Sequence, residues 1–230
     1  MVDMSIFNRL KSLDTPTVCN ALEMLEPGRR AYGFTTDALF CLRESLAPIV
    51  GYAKTATMRS LQPSTKSVAE TVEHRIRYYT YVGEGSERKV CVMQDLDSTR
   101  VGTGAFWGTF NSSIHRALGC DGVVTDGAIR DIQKIPEAFQ MIARGVRPSH
   151  GYVHVVDFGI QVNVCSMVVN DGDLIHADVH GAVCFPASMA SDIIDAAVEF
   201  MENERPIIEA CQESGIGITR LIEIYRSRIS

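Results

Sequence analysis

Residues 122–132 read GVVTDGAIRDI. A short run of β-branched residues ends at Asp126-Gly127, and Arg130 and Asp131 stand side by side a few positions later. GVVTD is too short to be a helix and has the make-up of a buried strand. GAIRDIQKIPEAF, 127–139, then reads as a turn and a short helix limited by Pro136. Arg130 and Asp131 therefore follow the carboxyl end of a strand, the edge at which open α/β sheets bind ligands. A carboxylate there can hold a hard divalent cation through oxygen. The guanidinium beside it can pair with a substrate carboxylate or steady a developing enolate oxygen. An exposed ion pair of little energetic value is the other reading. Spacing alone leaves both standing.

Working outward, IVGYAKTATM (49–58), KVCVMQDL (89–96) and QMIARG (140–145) read as further strands. STKSVAETVEHRIRYYTYV (64–82) reads as an amphipathic helix with Ser64 or Thr65 near its start, and FWGTFNSSIHRALG (106–119) as a helix that Gly119 ends. Alternation of strand and helix implies parallel crossovers. Upstream, LDTPTVCNALEML (13–25) has Asp14 or Thr15 as N-cap and Pro16 in the first turn. Downstream, residues 152–186 hold several short strands separated by turn residues, an antiparallel cluster joined to the sheet. A long helix over 188–214 follows, with Ser188 or Ser191 near its cap and Pro206 as a bend, and a last helix over 219–228. The expected fold is α/β, a single compact domain over 1–230 with a mixed sheet flanked by helices and with helices near both termini.

The chain has 230 residues, enough to bury a core without disulfides or a structural metal. Its net charge of −6 argues against a nucleic-acid groove, though not against a small anion held by one or two local arginines. Seven cysteines, at 19, 41, 91, 120, 165, 184 and 211, form no C-x-x-C pair, which suits a reducing compartment. The N-terminus lacks a signal-peptide core and no run is long enough to span a membrane, so a cytoplasmic protein without membrane or nucleic-acid partners is expected.

Two other patterns invite chemistry. VGTGAFWG (101–108) is one residue longer than the dinucleotide fingerprint, so it reads as a loop offering backbone N–H groups to an anion rather than as a Rossmann turn. HGYVH (150–154) and HADVH (176–180) pair histidines four apart, but in strand and turn sequence that spacing does not chelate simply. These histidines are expected to be hydrogen-bonded structural groups, with His150 and His180 able to face a pocket. The cysteines lie mostly among apolar residues and read as small core residues.

WGTFNSSIHRALGCDGVVTDGAIRDI (107–132) resembles the RraA-like family, which includes the class II 4-hydroxy-4-methyl-2-oxoglutarate aldolases and the ribonuclease E regulator RraA. The resemblance continues through 143–164 and NDGDLIHADVHGAVCFP (170–186) to ENERPIIEAC (202–211). It implies a homotrimer or a hexamer with the active site between subunits. It also implies a magnesium or manganese ion on Asp131 and a pyruvyl unit on Arg130. Gly108, Phe110 and Asn111 would hold the substrate carboxylate through backbone amides. Glu204 of a neighbouring subunit, or Glu202, would reach the metal through water. The implied function is a metal-dependent lyase acting on a 2-oxo acid, by aldol cleavage or by oxaloacetate decarboxylation. The chain departs from the aldolases at Thr109, which occupies the place of an Asp or Glu. A hydroxyl there offers one hydrogen bond but no charge. The rival readings are therefore a non-catalytic regulator, which also lacks this acid, and an enzyme altered for another small carboxylic acid.

Overall fold

The computed structural model describes residues 2–227. Six helices are present among them: α1 (Met4–Leu10), α2 (Thr15–Leu25), α3 (Val68–Gly83), α4 (Thr109–Ala117), α5 (Ala190–Gln212) and α6 (Ile218–Ser227). The strands begin with β1 (Phe40–Cys41), β2 (Ile49–Arg59), β3 (Lys89–Asp95), β4 (Ala105–Trp107), β5 (Cys120–Ile129) and β6 (Gln140–Val146). They continue with β7 (His154–Phe158), β8 (Val162–Val164), β9 (Met167–Val169), β10 (Leu174–Asp178) and β11 (Gly181–Phe185).

The main sheet runs in the order β1-β6-β5-β3-β2-β10-β11, with β4 paired to β5 and β7 to β2. Strands β2, β3, β5 and β6 are parallel, as alternating strands and helices require. The late strands β7, β10 and β11 pair antiparallel, while β8 and β9 form a separate hairpin. Strand alternation divides the core. Val90, Val92, Val124 and Ile142 face the β8–β9 hairpin, while Cys91, Met93, Val123 and Met141 face Tyr78 and Val82 of α3. A third cluster packs α1, α2 and α5 against β10 and β11. Both faces are covered, so the middle of each central strand carries an apolar run, Val90–Met93 in β3 and Val123–Val124 in β5, as parallel strands buried on two sides should.

Several boundaries differ from expectation. Phe106 and Trp107 are strand residues, not the start of a helix: they are buried beside the end of β5, and α4 begins only after Gly108. Beyond Asp126, β5 continues through Gly127 to Ile129, and a single 3₁₀ turn, Ile132–Lys134, replaces the expected helix. The expected caps also shift. Ser67 caps α3 in a reciprocal pair with Glu70, two residues past Thr65, and Met189 caps α5 with no side-chain bond. Helix α5 runs through Pro206 to Gln212. The last helix was expected to reach Arg228, which lies outside the described residues.

The carboxyl ends of β3 and β5 bury two acids, Asp95 and Asp126. The Asp95 amide donates to Asp126 Oδ1 at 2.7 Å. Burial nevertheless pushes the Asp126 carboxyl up to about 7. A carboxyl raised on folding binds more protons folded than unfolded, so its contribution is fully present at low pH and is lost as pH rises from about 4 to about 7. Asp126→Asn, which keeps the acceptor, should raise Tm by several degrees at about pH 8 and change it little at about pH 4. A Tm difference that is flat across that range would sink the assignment.

Candidate active site

All ten residues of β5 are buried, and the strand ends at the carboxyl edge of the sheet. There the chain is held from two sides: Arg130 N donates to Trp107 O at 2.8 Å and Arg147 N to Ile129 O at 2.9 Å. Asp131 then takes a left-handed conformation, φ 56 and ψ 32, and its carbonyl accepts from Lys134 N at 2.7 Å. Aspartate is among the few side chains that tolerate this region. The turn leaves the Arg130 and Asp131 side chains partly exposed, with Arg130 Nε 3.7 Å from Asp131 Oδ2.

Helix α4 begins against the same corner. Gly108, its N-cap, has no side chain to satisfy the first amides, which intrahelical carbonyls cannot reach. One of them, Thr109 N, lies 3.4 Å from Asp131 Oδ2. The contact is so close that a Cβ at Gly108 would stand 2.7 Å from Asp131 Oδ2 and 3.1 Å from Arg130 Cγ. The glycine is what lets the helix start and the Arg-Asp pair meet.

A cavity of about 440 Å³ opens on this corner, and Gly108, Phe110, Asn111, Arg130, Asp131 and His150 all line it. Thr109 does not; its Oγ1 is buried without a hydrogen-bond partner among the described residues. The Asn111 side chain is committed elsewhere, accepting from Tyr79 Oη at 2.8 Å and donating to Phe106 O at 2.6 Å. Behind it, His115 Nδ1 donates to Asn111 O at 2.6 Å and His115 Nε2 accepts from Tyr78 Oη at 2.8 Å. Burial pushes the His115 imidazole down to about 4, so this clamp on the first turn of α4 stays neutral at ordinary pH.

Other candidates fall away from the corner. The amides of Gly102 and Gly104 are spent on Asp95 Oδ2 and Ser60 Oγ, so the glycine-rich loop offers them to the protein itself. His176 is buried between Thr15 Oγ1 and Leu10 O, as a structural histidine should be. His180 pairs with Asp178 and lines no part of the cavity. Glu202 and Glu204 lie on α5 and do not line the cavity of their own chain. All seven cysteines are free. Residues that sequence did not single out also line the cavity, among them Ser64, Thr71, Phe106 and Tyr152. Of these, Tyr152 sat between the histidines of HGYVH and Phe106 within VGTGAFWG, patterns already marked, though neither residue was marked for itself.

The donor set bears on a metal. No group of three or more His, Cys, Asp or Glu side chains suited to a metal occurs among the described residues. Magnesium or manganese would ask for one carboxylate, with the remaining oxygens from water and substrate. Asp131 is the residue that would hold such an ion.

The chain thus combines a mixed α/β fold with an Arg-Asp pair at the parallel edge of its sheet, beside the first turn of α4. The family model described as RraA-like, Aldolase/RraA, matches residues 15–184, and the chain belongs to that family. The family includes metal-dependent aldolases and ribonuclease E inhibitors, and its members are typically oligomeric. An uncharacterised protein of Methanocaldococcus jannaschii is 33% identical over 107 residues, 46% of this chain and 51% of that one. The match thus spans about half the length of that curated relative. Among solved structures, one described as of novel cellulases from microbes associated with the gut ecosystem superposes with a TM-score of 0.72 at 21% identity, covering 90% of this chain and 88% of that one. Streptomyces coelicolor RraAS2, described as an unusual member of the RNase ES inhibitor RraA family, gives 0.69 at 23% identity, covering 89% and 97%. At such identities these structures show the shared fold. No helix among the described residues is long and apolar enough to cross a membrane.

Proposed function

We propose that the protein is a divalent-metal-dependent lyase for 2-oxo acids, releasing pyruvate by aldol cleavage or by decarboxylation of oxaloacetate. The observation that carries this reading is the meeting of Asp131, Arg130 and the first turn of α4 in one open cavity. The Phe110 and Asn111 amides are placed to receive the substrate carboxylate at the positive end of the helix. Asp131 would hold the ion, and the ion, when bound, supplies Lewis-acid polarisation of the 2-oxo group. In aldol cleavage the 4-hydroxyl loses its proton, the C3–C4 bond breaks, and its electron pair passes into the 2-oxo group as an enolate that is reprotonated at C3. Arg130 sits where that negative charge gathers and favours it over the neutral ketone. Protons exchange with water in the cavity. In such a site Glu204 would act from a neighbouring subunit of a homotrimer or hexamer.

The test is pyruvate release from oxaloacetate and from 4-hydroxy-4-methyl-2-oxoglutarate, with magnesium or manganese and after chelation. Release that appears with metal and stops on chelation supports the reading. Failure with both substrates favours a regulator on the same scaffold, for which the missing acid at Thr109 is the specific support.

Two substitutions sharpen the reading. Gly108→Ala should lower turnover by about 10²-fold, because the new Cβ displaces the Asp131 carboxylate and small misplacements at a reacting centre are that costly. Its Tm should move by no more than a few degrees. Unchanged kinetics would show that Asp131 need not stay where it is. Thr109→Glu should raise turnover at least about tenfold, since it supplies the base that the hydroxyl cannot. A fall or no change would mean that the base comes from elsewhere.

A further inference from the structure

Arg130 is the one arginine or lysine among the described residues that line the cavity at the corner. Apart from it and Asp131, the walls are mainly apolar: Pro63, Ala105, Phe106, Phe110, Tyr152 and Val153. Two of these rings are left in water. Phe110 is 70% exposed and Tyr152 60%, whereas the fold buries Phe106 and Trp107 almost completely. Both exposed rings are carried on fixed backbone. Phe110 stands in the first turn of α4. Tyr152 N donates to Ser60 O at 2.8 Å just after Gly151, whose φ of 57 turns the chain. Large rings exposed together around one cavity mark a place for an apolar group.

The polar side chains in the same walls are largely engaged within the protein. His150 Nδ1 donates to Gly151 O at 2.6 Å and His154 Nδ1 to Tyr152 O at 2.8 Å, which leaves each ring its Nε2. Ser64 Oγ accepts from Lys66 N at 3.2 Å, and the Asn111 side chain is held by Tyr79 Oη and Phe106 O. Arg75 lies over the Phe106 ring, 5.0 Å from its centroid, but does not line the cavity. A second carboxylate would thus meet no arginine or lysine besides Arg130, which the proposed mechanism uses at the keto end. An anion that leaves water without a charged partner is penalised. A neutral ring sheds little hydration and gains edge or offset contacts with Phe110 and Tyr152. At about 440 Å³ the cavity has room for a ring beside a pyruvyl unit.

We propose that the cavity takes a 2-oxo acid that carries an aromatic group on its hydroxyl-bearing C4, with the ring against Phe110 and Tyr152 and the keto acid at Arg130 and Asp131. The proposal rests on the proposed function and names its substrate class, the 4-aryl-4-hydroxy-2-oxobutanoates. The 4-hydroxyl loses its proton, the C3–C4 bond breaks and C3 is reprotonated, so the products are pyruvate and an aromatic aldehyde. Phe110 and Tyr152 are then the residues that set specificity for the aldehyde half.

Calorimetry in the presence of magnesium tests it with pyruvate, 2-oxoglutarate and 2-oxo-4-phenylbutanoate. The last two share one skeleton and end in a carboxylate or a phenyl ring, and none of the three carries the hydroxyl needed for cleavage. The wild-type protein should bind the phenyl acid about tenfold more tightly than 2-oxoglutarate or pyruvate. The ratio of the affinity for the phenyl acid to that for pyruvate should fall about threefold in Tyr152→Ser, and to about one in Phe110→Ser with Tyr152→Ser. The ratio cancels any loss common to both acids, and both side chains are exposed, so Tm should change little. Binding of 2-oxoglutarate as tight as that of the phenyl acid overturns the aromatic subsite and leaves the proposed function standing. So does a ratio that survives in the double variant; if that variant also changes its oligomeric state, the rings belong to a contact between copies. Absence of binding by all three acids overturns both.

Discussion

Asp131→Asn is expected to lower metal-dependent turnover by about a thousandfold or more, the scale of losing several kcal/mol of charge stabilisation. Asparagine is the informative replacement because Asp131 has two local duties that have nothing to do with a metal. Its backbone is left-handed, and its Oδ2 lies 3.4 Å from the first amide of α4. Asparagine tolerates the same backbone region and keeps an oxygen for Thr109 N, so Tm should stay within a few degrees. Alanine would lose both, adding about 1 kcal/mol of backbone strain and a lost cap to any chemical effect. The charge is what asparagine removes. If Asp131→Asn keeps wild-type turnover, the carboxylate is a helix cap and nothing more.

The parallel centre of the sheet was legible because burial on two faces writes itself as apolar runs, as in Val90–Met93 and Val123–Val124. The corner was legible as a pair of residues but not as a geometry. Gly127 reads as a turn signal, yet it continues β5, where a Cβ would stand 2.7 Å from Met58 Cε. Its smallness serves a close approach within the sheet. Phe106 and Trp107 look equally at home in a helix or a buried strand, and only the register with Ala128 and Ile129 decides. The same limit hid which amides are already bonded. Glycine-rich sequence at 102–104 resembles an anion loop, but Asp95 at the end of β3 and Ser60, distant in sequence, consume its donors. Ser64, Thr71 and Phe106 could not be read as cavity walls from one chain, because nothing local marks a residue that meets the site only through the fold. His115 had no pattern at all, although it braces the first turn of α4 through Asn111.

Arg130→Met is expected to lower kcat by about 10²–10³-fold, the usual loss when one donor to a developing oxyanion is removed. The split between kcat and KM carries the argument. If Arg130 only binds the substrate carboxylate, ground and transition states lose equally, and KM rises while kcat holds. If it steadies the enolate, kcat falls and KM moves little, since the charge it meets exists only as the bond breaks. The proposed mechanism expects the second outcome: in it the amides of α4 take the substrate carboxylate, which leaves the guanidinium for the keto end. Arg130→Lys separates charge from shape and should recover only part of the loss, because an ammonium cannot reproduce the planar fork. Stability gives the control. The Arg130–Asp131 pair is separated by 3.7 Å and more than a third exposed on each side, so its removal should cost no more than about 1 kcal/mol. A large fall in Tm with unchanged kcat would return the pair to the structural role that an exposed ion pair on a sheet edge can always claim.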